Sequence, residues 1–541
     1  FDKVQKIPLT PIPNKKNWYK NDNLYNIAKQ YKYINEMITN NESYDKYMIN
    51  MALSKIPKKI VKEDYKETFE RIDLECQQIL GVSKVRKQPI SAYFTTMKKN
   101  IDIIWEKAES LIMPGRGSAG AYMINFLLGI TQLNPLKQGV ELPYFRFIHQ
   151  SKPEMPDIDI DICSHKKDKV FYELRKYYQS IGGDIVRVCT FGTETAKSAI
   201  QTAIRGLHIN SDIGLYLSSL IPVERGKVWS IHDCYYGNAK NNRKSITEFK
   251  NAVDEYHNDE QGKDLLSVAL KIEGLVNKRS SHAAGVLIVN EPFTKRNAIM
   301  KAPNGELISQ YSLHDAEQVG QIKYDVLCTK ACSCIQLTLE MLLKYKKIQW
   351  QGSLQATYNK YLSPNVIDTK TKEMWDILNK GELISAFQFD SPVGEKAIQM
   401  IKPTSLLEAT DANNLMRLMG QEGKEPPMDK YVRYKKDINE WYKEMKEAHL
   451  NSNEIEIVKK HLLNNYGVCS TQEGMMMLSM DNKISGFDVP ESNILRAGVS
   501  KKNKEKYEKA HKLFYEKGKQ LGTRKELLDY IWNGQIAMQK G

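Results

Sequence analysis

The sequence predicts a multidomain protein with a mixed α/β centre, a helical insertion and a helical C-terminal half. The chain has 541 residues, which is more than one hydrophobic core usually organises. Short segments of alternating or continuous apolar residues predict strands at 155–162, 283–289 and 321–327. Helical spacing of apolar residues dominates 194–222, 246–276 and almost everything after residue 330.

Composition and charge narrow the class of protein. Lys and Arg total 79 against 65 Asp and Glu, a formal net charge of +14, which is typical of soluble proteins that bind a polyanion. A lysine-rich host composition explains the same excess without such a partner. No run of about 18 apolar residues occurs, so no membrane span is predicted. The eight cysteines form no zinc pattern, even where Cys328, Cys332 and Cys334 cluster, and are typical of a reducing cytoplasm.

The most informative segment, 155–162, reads Met-Pro-Asp-Ile-Asp-Ile-Asp-Ile. Alternate side chains of a strand share a face, so Asp157, Asp159 and Asp161 lie on one face and the isoleucines on the other. The aspartates form a row of like charges about 7 Å apart along the strand. Such a row is unfavourable unless a cation or solvent relieves it, and hard oxygen ligands suit Mg²⁺. The alternative is an edge strand with a solvated acidic face.

A second predicted strand, 321–327, carries Lys323 and Asp325 on one face. If this strand lies beside the first, Asp325 completes a cluster of three carboxylates. The sequence does not show that adjacency, and a lone Asp in a strand is more often a surface residue.

A glycine-rich turn, Pro114-Gly-Arg-Gly-Ser-Ala-Gly120, precedes a predicted helix at 121–130. Glycines let backbone N–H groups converge on an anion, and a helix N-terminus adds positive potential. Ser118 can donate its hydroxyl, and Arg116 can pair with phosphate oxygens. The turn lacks the ending of a Walker A loop and the preceding strand of a Rossmann fingerprint. An ordinary Gly-Ser turn without a ligand is the alternative.

Several short segments between residues 110 and 520 follow one another in a characteristic order. They are Pro114–Gly120 with Leu128–Thr131 and Asn134–Leu136, Met155–Asp161, Thr190–Thr193 with Ala196–Lys197, His282–Val286, Lys323–Leu327, Phe387–Gln388 with Lys402–Thr404, Tyr466–Val468 with Gln472–Glu473, and Leu495–Arg496 with Lys501–Lys502. In this order they resemble the alpha subunit of bacterial DNA polymerase III, the family C replicative DNA polymerases, with a phage-encoded member as one form. Each match is modest, but the ordered set is highly specific.

The resemblance implies an α/β palm of the polymerase-beta nucleotidyltransferase type, a helical thumb insertion and large all-helical fingers. In family order the palm covers 65–188 and 277–330, the thumb 189–276, and incomplete fingers 331–541. Residues 1–64 are polar and contain several prolines. We expect them to form an irregular lead-in with a few short helices, linking to the family's PHP domain, which this sequence does not include.

The resemblance also implies template-directed DNA polymerase activity, in which a primer 3′-hydroxyl attacks the α-phosphate of a dNTP with two Mg²⁺ ions. In that pattern Asp157 and Asp159 bridge the ions, and Asp325 holds the ion on the primer side. Asp161 is expected to orient the strand. The implied nucleotide-binding residues are Arg116, Gly117, Ser118, Lys323 and Arg417, and the implied DNA-binding residues are Arg496, Lys501 and Lys502.

The sequence departs from the family pattern at three of these places. Arg417 is kept, but Leu418 follows it where the family has proline. Cys328 replaces a glycine after the third aspartate, and Arg496 is followed by Ala497 where the family has a second arginine. These changes bear on the nucleotide contacts of the fingers rather than on the carboxylates.

Primer–template DNA and dNTP are the implied partners, in the cytoplasm of a bacterium or a phage-infected host. A sliding clamp, other replisome proteins and a second polypeptide that completes the fingers are further candidates. The last expectation rests on Gly541, which falls within a segment that continues through the fingers in the family; a disordered remainder or a truncated chain explains the same ending. Two alternatives stay open: a template-independent nucleotidyltransferase, which the family spacing disfavours, and a non-catalytic DNA-binding subunit, which the intact aspartates disfavour.

Overall fold

The computed structural model describes residues 5–139, 142–224, 227–239, 243–257, 264–418, 423–500 and 503–540. The chain divides into two compact units. Unit 1 comprises Phe1–Lys6 and Asp184–Lys323, and unit 2 comprises Ile7–Gly183 and Tyr324–Gly541.

The first part of unit 2 is mainly helical. Its elements are α1 (Asp22–Ala28), α2 (Lys32–Thr39), α3 (Ser43–Lys59), α4 (Tyr65–Arg86), α5 (Ser91–Glu106), α6 (Met123–Leu128), β1 (Asp159–Cys163) and α7 (Lys167–Ser180). The irregular lead-in that we expected is wrong for α3, which has 17 residues and buries Met48, Leu53 and Ile56. Pro57 does not end α3 earlier because it lies in the last turn, where its missing N–H removes only one helical hydrogen bond.

Unit 1 contains both strands and helices. Its elements are β2 (Asp184–Thr193), α8 (Ala196–Gly206), α9 (Ser211–Ser219), β3 (Val223–Glu224), β4 (Lys227–Val228), α10 (Ile231–Tyr236), α11 (Thr247–His257), α12 (Leu265–Ile272), β5 (Val276–Val289), β6 (Ile299–Lys301), β7 (Leu307–Ser309) and α13 (Leu313–Gln318). The strand β2 pairs with β5 antiparallel and with β7 parallel, and β7 pairs with β6 antiparallel.

Several boundaries in unit 1 differ from the prediction. The strand expected at 283–289 begins at Val276, because its exposed first half pairs with the end of β2 and needs no apolar pattern. The helical region expected at 194–222 is two helices, α8 and α9, separated near His208, which has a left-handed φ of 56°. Of the region expected at 246–276, the described residues include α11 and α12, and residues 258–263 lie outside the described part of the chain.

The remainder of unit 2 is one strand followed by helices. Its elements are β8 (Lys323–Thr329), α14 (Lys330–Lys344), α15 (Leu354–Tyr361), α16 (Lys372–Asn379), α17 (Pro392–Ile401), α18 (Leu406–Leu415), α19 (Pro427–Lys436), α20 (Ile438–Glu447), α21 (Ser452–Leu462), α22 (Gln472–Met480), α23 (Val489–Ser500), α24 (Lys504–Gln520) and α25 (Lys525–Ile531). The later helices share a core built on Trp441, Phe514 and Trp532. A mixed α/β protein with a helical C-terminal half is therefore confirmed.

The strands β1 and β8 form a parallel pair, from Asp159 opposite Asp325 to Cys163 opposite Thr329. We expected β1 to begin at residue 155, but it begins at Asp159. Pro156 has no N–H to donate, and backbone pairing with β8 starts only three residues later. Among the described residues, no helix is both long and apolar enough to cross a bilayer.

Candidate active site

Three aspartates of unit 2 come together around β1 and β8. Asp159 and Asp325 are direct partners in the strand pairing, and Asp157 lies two residues before Asp159. One carboxylate oxygen of each residue lies within 4.8 Å of the other two. Asp157 is exposed, Asp159 is partly buried, and Asp325 is buried with 5% of its surface exposed. The cluster is therefore open to solvent on the side of Asp157 and enclosed by protein on the side of Asp325.

The alternation of Ile and Asp determines which way the β1 carboxylates point. The intervening isoleucines, Ile158, Ile160 and Ile162, are at most 3% exposed. Burial of each such side chain contributes about 1.5–3 kcal/mol. A slip of one residue would expose the isoleucines and bury the aspartates. The packing of the isoleucines thus holds the β1 aspartates on the face that carries Asp325.

Tyr93 from α5 packs against the β8 side of this cluster. Its ring stacks on Tyr324 with the ring centroids 5.3 Å apart, and both residues are 1% exposed. Burial first, and then the negative charge of Asp157 and Asp325, raise the pKa of the Tyr93 hydroxyl well above its usual range. Tyr93 therefore stays neutral and adds no charge to the carboxylates.

The cluster fits a hard divalent cation. Its donors are carboxylate oxygens, which are the ligands that Mg²⁺, Ca²⁺ and Mn²⁺ prefer. Three carboxylates this close together repel one another unless a positive charge lies between them. Asp157, Asp159 and Asp325 could therefore hold a metal, and the donor set selects the class of cation rather than one element.

Arg116 brings a positive charge to the edge of this cluster, because its guanidinium approaches two carboxylates of β1. Its Nη1 lies 3.4 Å from Oδ1 of Asp161 and its Nε lies 3.9 Å from Oδ2 of Asp159. Burial raises the pKa of Asp161, and the Arg116 charge opposes that rise. The guanidinium also lies 5.8 Å from the centroid of the half-exposed Phe387 ring. Asp161 thus pairs with Arg116, whereas Asp157 and Asp159 lie close to Asp325.

The glycine turn lies against the aspartates. Residues Gly117–Ala121 form a 3₁₀ turn, and α6 follows at Met123, so the helix expected at 121–130 is shorter. Gly117 has φ 60°, and the nearest atom to a Cβ placed there would be Oδ2 of Asp159, at 3.9 Å. Gly115 has φ 145°, and a Cβ there would lie 3.1 Å from Thr131 Cγ2. Both positions therefore favour glycine, at Gly117 for its left-handed backbone and at Gly115 also for lack of space.

Two charged residues of α4 hold this turn in place. Met123 N and Ile124 N donate to the Glu75 carboxylate, at 2.7 and 2.9 Å. Arg71 donates to the carbonyl oxygen of Ala121 at 2.5 Å and to Glu75 at 3.0 Å. This pair was not predicted from the sequence; its signal is an Arg and a Glu four residues apart on a helix whose other face is apolar.

The remaining residues predicted to contact nucleotide or DNA lie in different elements of the chain. Lys323 is the first residue of β8, two residues before Asp325. Arg417 is exposed and donates to Gln388 Oε1 at 2.5 Å. Arg496 lies in α23 and is partly buried. Burial, and then the charge of Arg146, lower the pKa of Arg496, and the charge of Glu473 opposes this change. Lys501 and Lys502 lie outside the described residues.

An ion pair inside unit 2 was also missed from the sequence. Arg146 Nε lies 2.8 Å from Glu473 Oε1, and the same guanidinium donates to Gln472 at 3.4 Å. Gln472 and Glu473 belong to one of the matched segments, but Arg146 stood outside all of them. The pair joins the loop before β1 to the first turn of α22.

Carboxylates gathered on paired strands beside a glycine turn are typical of enzymes that transfer phosphoryl or nucleotidyl groups with divalent cations. Comparison with protein families agrees with this class. Residues 46–328 match the bacterial DNA polymerase III alpha NTPase domain, and residues 338–522 match the finger domain of the same subunit. The chain therefore belongs to the bacterial DNA polymerase III alpha family, which confirms the resemblance.

Curated relatives give the same family. The chain is 41% identical over 546 residues to the probable DNA polymerase YorL of Bacillus subtilis and to the DNA-directed DNA polymerase of Bacillus phage SPbeta, which covers 99% of this chain. It is 26% identical over 509 residues to the DNA polymerase III subunit alpha of Aquifex aeolicus, covering 91% of this chain. The chain spans 40% of the length of each of these relatives.

Proposed function

We propose that this chain carries the catalytic site of a template-directed DNA polymerase, which joins dNTP to a primer 3′-hydroxyl during replication. The observation that carries the proposal is the convergence of Asp157, Asp159 and Asp325 in a chain of the polymerase III alpha family. The relatives named as DNA polymerases support it, since their similarity covers 99% of this chain. A bacterial or phage-infected cytoplasm is the proposed location.

The proposed domains follow the family order. The palm, of the polymerase-beta type, comprises 65–188 and 277–330, and the thumb comprises 189–276. The fingers, incomplete in this chain, comprise 331–541. In this arrangement both strands that bear the aspartates are palm strands, and the helices α14–α25 belong to the fingers.

The three aspartates are the proposed ligands of two Mg²⁺ ions. Asp157 and Asp159 are assigned to both ions, and Asp325 to the ion on the primer side. When bound, these ions would neutralise the triphosphate and lower the pKa of the attacking hydroxyl. The protein contributes the rigid strand pair, whose buried isoleucines keep the carboxylates in place, and the neutral Tyr93 beside them.

The glycine turn is the proposed cradle for the triphosphate. Gly117 and Ser118 offer backbone N–H groups and a hydroxyl for this role. The turn lies beside the aspartates, since a Cβ placed on Gly117 would be 3.9 Å from Oδ2 of Asp159. Two guanidinium nitrogens of Arg116, Nη1 and Nε, approach Asp161 and Asp159 at 3.4 and 3.9 Å, so a phosphate can compete with these carboxylates for the same cation. Lys323 and Arg417 are proposed as further phosphate contacts, and Arg496, Lys501 and Lys502 as DNA contacts.

Primer extension tests the proposal. Wild type and the Asp325→Asn variant are incubated with a 5′-labelled primer, a template of defined sequence, Mg²⁺ and dNTPs. We expect template-directed extension by the wild type only. Asp168→Asn, an exposed position on α7, is the matched control and should extend normally.

The two alternatives give different products. A template-independent nucleotidyltransferase would extend the primer without regard to the template sequence. A non-catalytic subunit would bind the primer–template but leave its length unchanged. Either result with properly folded wild-type protein would overturn the proposal.

A further inference from the structure

A cavity of about 550 Å³ lies in unit 2 and is lined by none of the aspartates or glycines described above. Its walls come from the segment Thr10–Pro13 and from α3, α5 and α7. Cavities that bind small ligands typically measure about 300–1,000 Å³. This one therefore has room for a ligand about the size of a nucleotide.

The cavity carries more positive than negative charge. Lys55, Lys98 and Lys99 line it, against one carboxylate, that of Asp102. Asp102 forms an ion pair with Lys98, and among the described residues neither Lys55 nor Lys99 forms an ion pair. Burial, and then the charges of Lys98 and Lys58, lower the pKa of Lys55. Bringing an anion into the cavity would relieve this repulsion.

Aromatic rings stand beside these ammonium groups. Tyr47 and Tyr177 line the cavity, and the Lys99 ammonium lies 4.8 Å from the centroid of the Tyr177 ring. The Tyr47 ring is 5.6 Å from that of Trp18, centroid to centroid. Ammonium groups interleaved with aromatic faces are typical of sites that hold a phosphate and a stacked base. A purely inorganic anion has no ring to stack and gains nothing from these side chains.

We propose that this cavity binds a nucleoside phosphate unit, with Lys55, Lys98 and Lys99 at the phosphate and Tyr47 and Tyr177 at the base. The site is additional to the proposed polymerase site. The same chemistry is offered by a free nucleotide and by the 5′-terminal unit of single-stranded DNA, because both combine a phosphate with a base. The limited volume allows one or two units and no duplex.

Photocrosslinking tests this site with two probes, 5-iodo-dUMP and a 5′-phosphorylated hexamer of thymidylate with 5-iodo-dU at its 5′ end. The whole chain is used in EDTA, so that divalent cations do not contribute and the result does not depend on primer extension. We expect the crosslinked peptide to contain Tyr47 or Tyr177. The probe that crosslinks at the lower concentration identifies the source of the ligand.

Charge variants supply the control. Lys55→Gln/Lys99→Gln should weaken binding of the better probe at least tenfold, measured by fluorescence anisotropy of a labelled form. Lys84→Gln/Lys107→Gln removes the same charge from exposed positions and should leave binding within about twofold. Thermal unfolding of the cavity variant checks its folding, and Lys99→Gln alone, at a half-exposed position, repeats the test with less change.

Three results would overturn the proposal. One is equal loss of binding in both double variants, which indicates a general charge effect. Another is crosslinking confined to peptides around Asp157 and Gly117. The third is competition by tripolyphosphate as strong as by the nucleotide, because the tyrosines then make no contribution.

Discussion

Asp159 and Asp325 are direct partners in the parallel pairing of β1 and β8, so two carboxylates from distant parts of the chain share one face of the strand pair. Partners in neighbouring strands lie about 5 Å apart. At that separation like charges repel, and the arrangement is unfavourable without a compensating cation. Asp157 adds a third carboxylate from the residues just before β1.

Removing one carboxylate should abolish primer extension without unfolding the protein. Asp157→Asn and Asp325→Asn each remove a charge that repels its neighbours, so the free energy of unfolding should fall little or rise. The extension rate should fall by more than about a hundredfold, because several kcal/mol of transition-state stabilisation depend on the held ions. Single-turnover extension and thermal unfolding measure the two effects. Extension by Asp325→Asn at more than about a tenth of the wild-type rate would contradict the prediction.

A divalent cation should stabilise the folded protein through the same cluster. Mg²⁺ at a hundred times its dissociation constant should add about 2.7 kcal/mol to the free energy of unfolding, because it binds the folded state only. Thermal shift with increasing MgCl₂, at constant ionic strength, measures the effect. The variant Asp159→Asn/Asp325→Asn should lose most of the shift, and Asp168→Asn should keep it. Equal shifts in all three proteins would place the bound ions elsewhere.

Arg116 should matter more for the nucleotide than for the fold. Arg116→Gln removes the cation 3.4 Å from Asp161 that we propose contacts the triphosphate, and should raise the KM for dNTP about tenfold. Arg116→Lys keeps the charge but not the paired donors, so an intermediate KM is expected. Steady-state extension at varied dNTP gives these values, with Lys107→Gln as a charge-matched control. An unchanged KM in Arg116→Gln would remove this arginine from the triphosphate site.

The stability of the glycine turn should depend on pH through Glu75. Burial raises the pKa of Glu75 to about 7, although Arg71 and the N–H groups of Met123 and Ile124 oppose the rise. At Glu75 the folded state therefore binds a proton more tightly than the unfolded state, so the stability that this group contributes is fully present below pH 4.5 and is lost as pH rises through about 7. The decline is about 3 kcal/mol at most.

Urea unfolding at several pH values between 4.5 and 8 checks this dependence. Glu75→Gln should flatten the pH profile in this window, although it lowers stability overall because the amide nitrogen cannot accept a backbone N–H. Glu67→Gln, an exposed position on the same helix, should keep the wild-type slope. A Glu75→Gln profile as steep as that of the wild type would assign the dependence to another group.

Binding to primer–template DNA should be mainly electrostatic. The net charge is +14, and each phosphate contact contributes about −0.9 to the slope of log K against log salt. Affinity should therefore fall steeply between low and moderate salt. Lys501→Gln/Lys502→Gln should reduce the slope by up to about 2, and Lys84→Gln/Lys107→Gln should not. Fluorescence anisotropy across a salt series measures the slope, and a flat dependence in the wild type would contradict the prediction.

Much of the candidate site could be predicted because its signals are local. The alternation of Asp with Ile in 155–162 dictates which side chains share a face, whatever the partner strand. Gly115 and Gly117 mark a turn that other residues adopt only with strain. The ordered segments identify the family, since their order along the chain does not depend on how the chain folds.

Residue types and their order along the chain were therefore enough to predict the family, the mixed α/β centre, the helical C-terminal half and the acidic face of β1. The pairing of Asp325 with Asp159, the start of β5 at Val276 and the contact of Arg146 with Glu473 emerge from the folded chain alone. Strand register and ion pairs between distant segments depend on backbone hydrogen bonds and packing between parts of the chain far apart in sequence. No local periodicity records those contacts, because residue spacing describes one element and not its neighbour.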